Sequence, residues 1–236
     1  MNFLSHYYFH HRDDDNFFTV GLTVPDLLGF HSRRVRVTKK YLENLLLFEK
    51  EKNIRSFIYG MILHLDLDRW FHNTDFFKEK LLLLQDRYVY YNEKKEKLPH
   101  FYAHILIEVL IDRYLLTIEP DIADRFYESY KKFDFKMITK LFEGLKNFDR
   151  DKFLDLAYKV SHSSFLKEYI NDHLIITILG RVSKRINLPF LIDEDNEKFT
   201  QFILFVYSEL ELSIKKFVKK ASKDLMLKKE KIINFN

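Results

Sequence analysis

Two stretches of the chain set imidazole and carboxylate groups four residues apart. In the segment from Gly60 to His72, the residues His64, Asp68 and His72 stand at i, i+4 and i+8. Four residues advance a helix by about 400°, so the three side chains fall within an arc of roughly 80°. In the segment from His100 to Arg113, His104, Glu108 and Asp112 repeat that spacing. Both stripes have apolar flanks: Met61, Leu63, Leu65, Leu67 and Phe71 in the first, and Ile105, Ile107, Val109 and Ile111 in the second. A helix apolar around most of its girth is a buried helix. A buried carboxylate left unpaired costs several kcal/mol or takes up a proton instead. Facing stripes would gather imidazole nitrogen and carboxylate oxygen, a donor set suited to Mn²⁺, Fe²⁺ or Zn²⁺. With no cysteine in the chain, such a site is of the open, catalytic kind rather than the closed structural kind. A metal-free network of buried ion pairs, with Asp66, Arg69 and Arg113 as counter-charges, would satisfy the same groups. Spacing alone leaves both readings open.

Two further residues belong with these. His6 follows the apolar pair Phe3-Leu4, and Asp26 lies between Val24-Pro25 and Leu27-Leu28. Pro25 suits a first helical position, which puts Asp26 in a first turn where the helix dipole favours a carboxylate. Each has an ordinary structural explanation when taken by itself.

The elements that must position these groups are helices. The chain has 236 residues but only five glycines and four prolines, too few for hairpin-rich sheets or glycine-rich phosphate loops. Apolar residues make up 47% and charged residues 31%, a globular profile. Apolar spacing is helical almost throughout. It predicts helices over 2–11, 24–28, 38–52, 54–71, 74–90, 99–116, 122–131, 135–146, 149–160 and 164–186, and a long last helix from about 193. The expected fold is all-α, one helical bundle spanning residues 1–236.

Net charge is +4, unevenly placed. The stretch from Leu212 to Lys231 holds eight lysines against Asp224 and Glu230, a local +6 that leaves the remainder at about −2. Such a run reads either as a solvated helix face or as a docking surface for an acidic partner. The absence of cysteine fits a reducing compartment. The opening residues lack the pattern of a secretory signal, and no run of 18 apolar residues is present. The expectation is a cytoplasmic protein that engages neither membrane nor nucleic acid.

At this point the motifs resemble a family. Met1-Asn2-Phe3-Leu4-Ser5-His6 is similar to the MNFLAH opening of acyl carrier protein phosphodiesterases. Asp26 falls where that family has an aspartate in a GNLxxDF-like segment. Gly60-Met61-Ile62-Leu63-His64, followed by Leu67-Asp68, resembles G-I-x-x-H-R-x-I-D, and Glu108 to Asp112 resembles D-x-x-x-D. Arg181 to Arg185 and the long final helix are similar to its C-terminal pattern. The resemblance implies a distorted HD-type helical bundle around a divalent metal, usually Mn²⁺. It implies hydrolysis of holo-acyl carrier protein to the apo form and 4′-phosphopantetheine. Carried over, Asp26 is catalytic with His6 beside it, and His64, Asp68 and Asp112 are metal ligands, with His72 and Glu108 as further ligands. Arg33, Arg34 and Arg36 would neutralise phosphate, and the lysine-rich end would meet the acidic carrier protein. The chain departs from the family at His72 and Glu108, where Asp is usual, and at Arg113, where His is usual. Arg113 stays protonated and has no lone pair for a metal. Two other functions fit the same residues: an HD-type hydrolase of a nucleotide or another small phosphodiester, and a helical binding protein whose site has decayed.

Overall fold

The computed structural model describes residues 1–32, 35–91, 95–185 and 197–233. Among them there are eleven α-helices, two 3₁₀ segments and no strand. The helices are α1 (Phe3–His10), α2 (Asn16–Gly21), α3 (Val24–His31), α4 (Lys39–Phe48), α5 (Lys52–Asn73), α6 (Asp75–Tyr88), α7 (His100–Ile118), α8 (Ile122–Lys131), α9 (Arg150–Ser161), α10 (Asp172–Arg185) and α11 (Glu197–Ile233). The 3₁₀ segments are Phe135–Phe142 and Phe165–Ile170. The all-α expectation is met.

Local sequence fixes most helix starts. Asp15, Thr38, Glu51, Thr74 and Asp149 each accept a hydrogen bond from a backbone amide two or three residues on. Three departures from the expected elements stand out. Asn16–Gly21 forms a helix the periodicity did not indicate. The segment 135–146, expected as α-helix, is 3₁₀ as far as Phe142, and 164–186 divides at Asn171 into a 3₁₀ segment and α10. Asn171 breaks the run because its carbonyl accepts from the amides of Leu174 and Ile175 and starts a new helix.

Buried apolar side chains form one connected core that runs from Met1 to Leu225. At its centre α2 crosses α5 with no side chain between the backbones. A Cβ on Gly60 would stand 2.3 Å from the carbonyl oxygen of Phe18, and one on Gly21 would stand 2.2 Å from that of Phe57. Only glycine permits this approach. It brings the carbonyl at the end of α2 against the face of α5 that carries His64. Among the described residues, no helix is long and apolar enough to cross a membrane.

Candidate metal centre

Four helices converge on the polar face of α5. α1 supplies His6, α3 supplies Asp26, α5 supplies His64, Asp68 and His72, and α7 supplies His104, Glu108 and Asp112. They sort into two groups. His6, Asp26 and His64 each offer a ligand atom within 4.8 Å of the others, and so do His72, His104 and Glu108.

In the first group the orientation of His64 decides the chemistry. Its Nδ1 lies 2.7 Å from the carbonyl oxygen of Leu22, just beyond α2. A carbonyl only accepts, so Nδ1 carries the proton. Burial, with His6 alongside, pushes His64 down to about 3, so the ring is neutral. Its Nε2 therefore presents a lone pair. That lone pair faces Asp26 Oδ1 and Asp68 Oδ2, each at 3.6 Å, too far for a hydrogen bond. The lone pair of His64 thus faces an oxygen of each aspartate without a hydrogen bond to either. Two ligands bonded to one ion at about 2.0–2.1 Å stand roughly 3.4 Å apart at tetrahedral angles. The 3.6 Å separations are compatible with ligands of a single cation.

The neighbouring groups agree. Among the described residues, Asp26 Oδ2 and His6 Nδ1 are buried and find no hydrogen-bond partner. Burial and the negative charge of Asp68 hold Asp26 well above the usual carboxylate range. His6 stacks on His64 with ring centroids 3.8 Å apart, and its Nε2 lies 3.1 Å from Asp68 Oδ1. Burial lowers His6 as well. The carboxyl side chains of Asp26 and Asp68 remain 25% and 28% exposed, so solutes reach the site. A carbonyl that fixes the tautomer of a ligating imidazole is the usual outer support of a metal site.

The second group centres on Glu108 Oε1, which lies 3.1 Å from His104 Nε2 and 3.3 Å from His72 Nε2. The α-amine of Met1 joins the groups, 2.7 Å from Asp68 Oδ1 and 3.0 Å from Glu108 Oε1. Burial disfavours the charged amine, but Glu108 and Asp68 outweigh it and hold the amine at about 11. Burial also opposes ionisation of Glu108; the amine and the two imidazoles overcome it and keep Glu108 well below its ordinary value.

The two stripes thus meet, through His72, His104 and Glu108, but Asp112 stands in neither group. Its oxygens accept from the amides of Leu4 and Ser5 and from the Ser5 hydroxyl, which anchors α1. Burial pushes Asp112 up to about 7 against those donors. The expected counter-charges also lie elsewhere. Asp66 pairs with Lys39 at 2.7 Å, Arg69 is exposed, and Arg113 pairs with Asp172 while lying over the Tyr207 ring. Arg36 is exposed, and Arg33 and Arg34 lie outside the described residues.

Sequence reasoning placed His104 on the second stripe without carrying it into the resemblance's ligand set, and it passed over two further participants. The Leu22 carbonyl and the Met1 amine carry no side-chain signal. Beside Glu108 lies a cavity of about 250 Å³, walled by Phe30, Ile105, Val109, Phe165 and Ile178, with Lys159 and Arg181 also on its lining. Compared with family profiles, with curated proteins and with solved structures, the chain matches none.

Proposed function

We propose that the protein is a metal-dependent phosphodiester hydrolase of the acyl carrier protein phosphodiesterase type, with an HD-like centre at His6, Asp26, His64 and Asp68. The single observation that carries this is the neutral His64 lone pair aimed at two carboxylates. A divalent cation reconciles the three, and a mixed imidazole and carboxylate set suits Mn²⁺. When bound, such a cation supplies Lewis-acid stabilisation of a phosphoryl group.

The chain's own residues do the rest. The Leu22 carbonyl holds the His64 ring in one tautomer. Asp68 accepts from His6 and fixes that ring. Asp26, whose Oδ2 has no hydrogen-bond partner among the described residues, accepts the proton of the attacking water. The cavity beside Glu108 gives room to an organic arm of the ester, and the lysine face of α11 meets an acidic carrier protein.

A second reading, a helical protein without catalysis, is favoured by one contact. The Met1 ammonium pairs with both Asp68 and Glu108 and offsets one of their two charges. One experiment separates the two. The purified chain is assayed for bound divalent metal and for release of 4′-phosphopantetheine from holo-acyl carrier protein with Mn²⁺ added. Metal-dependent release supports the hydrolase. Metal binding with turnover only of a small diester moves the substrate to the nucleotide-like class. No bound metal and no turnover leave the non-catalytic reading.

A further inference from the structure

We infer that His72, His104 and Glu108 form a second divalent-cation site, separate from the His6, Asp26 and His64 group and not required by the hydrolase reading. Two observations support it. The first is crowding on a single atom. His72 Nε2, His104 Nε2 and the Met1 amine all lie within 3.3 Å of Glu108 Oε1. The amine has a second partner in Asp68 Oδ1 at 2.7 Å, which leaves the two imidazole nitrogens and Oε1 as three ligand atoms within 4.8 Å of one another. The second is spacing. The nitrogen-to-oxygen separations of 3.1 and 3.3 Å suit a hydrogen bond where the ring nitrogen carries a proton, and where it presents its lone pair they lie near the roughly 3.3–3.4 Å between tetrahedral ligands of an ion held at about 2.0–2.1 Å. The two imidazole rings come from different helices, α5 and α7, with centroids 4.7 Å apart. Phe77 of α6 packs against both, with centroids 4.8 Å from His72 and 5.0 Å from His104, and fixes their orientation.

The chemistry selects the cation class. Two imidazoles and one carboxylate form an N₂O set, which suits Zn²⁺ and its neighbours better than Ca²⁺ or Mg²⁺. The side chains of His72 and His104 are 31% and 28% exposed, so an ion enters from solvent without unfolding the bundle.

The test is titration of the full chain with Zn²⁺ by calorimetry. The wild type should bind two equivalents. His72→Gln with His104→Gln should bind one, the lost site weakened by at least about a hundredfold, with the thermal melt of the apo-protein retained. His64→Gln with Asp26→Asn should lose the other equivalent. If the double histidine variant folds poorly, His104→Gln alone decides, because this half-buried ring is replaced by a side chain of similar reach. Two equivalents retained in the histidine variants, or none in the wild type, would overturn the inference. One equivalent lost by His104→Gln but not by His64→Gln would keep this site and sink the centre proposed for hydrolysis.

Discussion

Ser5 donates twice to Asp112, through its backbone amide at 2.9 Å and through its hydroxyl, while the Leu4 amide donates to the other oxygen at 3.1 Å. A carboxylate on α7 thereby closes the first turn of α1, where amides have no partner within the helix. Asn2 accepts from the Phe3 amide and completes the cap. His6 follows directly, so its place against His64 depends on this anchor.

Removing the anchor should cost stability. Asp112→Ala leaves two buried amides and a hydroxyl without acceptors, at about 1–3 kcal/mol for an unsatisfied group. Urea unfolding should show a loss of about 3 kcal/mol or more. Asp112→Asn keeps one acceptor oxygen and should lose less. Equal stability of Asp112→Ala and wild type would mean that α1 is held some other way.

The crossing of α2 and α5 gives a paired prediction. Gly60→Ala drives a methyl group into the Phe18 carbonyl and should destabilise by about 1–3 kcal/mol. A Cβ on Gly29, inside α3, would meet no atom of the described residues within 4 Å. Gly29→Ala should therefore stabilise by about 0.5–1 kcal/mol through helix propensity. Thermal melts of the two variants should move in opposite directions.

His31 should make stability depend on pH. Its Nε2 accepts from the Asp149 amide at 3.2 Å, and burial lowers its pKa. The neutral ring is the one the fold prefers. The stabilisation is present above the ordinary histidine value of about 6.5 and is lost as pH falls through the lowered folded value. Wild type should lose more melting temperature between about pH 7.5 and 5 than His31→Gln, which accepts the same bond and does not titrate. Parallel pH profiles for the two proteins would rule this out.

Asp26 separates chemistry from folding. Asp26→Asn removes a charge that burial and Asp68 already oppose, so the melt should be unchanged or raised. Loss of a general base should slow hydrolysis of the diester by about 10² or more. Asp68→Ala should instead impair both, since Asp68 contacts His6 and the Met1 amine and faces His64. Wild-type turnover by Asp26→Asn would remove Asp26 from the catalytic role.

Much of this arrangement was readable from spacing. The stripes on α5 and α7 stood out because a period of four on an apolar helix has one physical meaning, a polar seam inside a core. The helix Asn16–Gly21 did not, because six residues give too few turns for a period to emerge. The 3₁₀ segment Phe135–Phe142 looked α-helical because apolar residues three apart suit either helix. Asp112 resembled a third ligand by register, but the register of one helix cannot reveal that another helix begins beside it. Leu22 escaped notice for a simpler reason: every residue has a carbonyl, and only the fold determines which one reaches an imidazole. The two glycines that bring it there were visible as two of five in the chain.

The lysines of α11 sit on a helix whose other face is seated in the core. Ile214, Phe217, Val218, Ala221 and Leu225 are buried, while Lys215, Lys216, Lys219, Lys220 and Lys223 are exposed. Phe217 stacks on Phe76 and Trp70, which ties this helix to α6 and α5. Successive lysines four residues apart are therefore held about 6 Å apart along the axis, inside a screening length of about 8 Å. Like charges at that interval strain the helix by about 0.2–0.5 kcal/mol per pair. Packing on the inner face keeps them there, like a row of compressed springs. Relief of the whole row would take an anionic face as long as the row itself, since a single anion reaches only one or two of these charges.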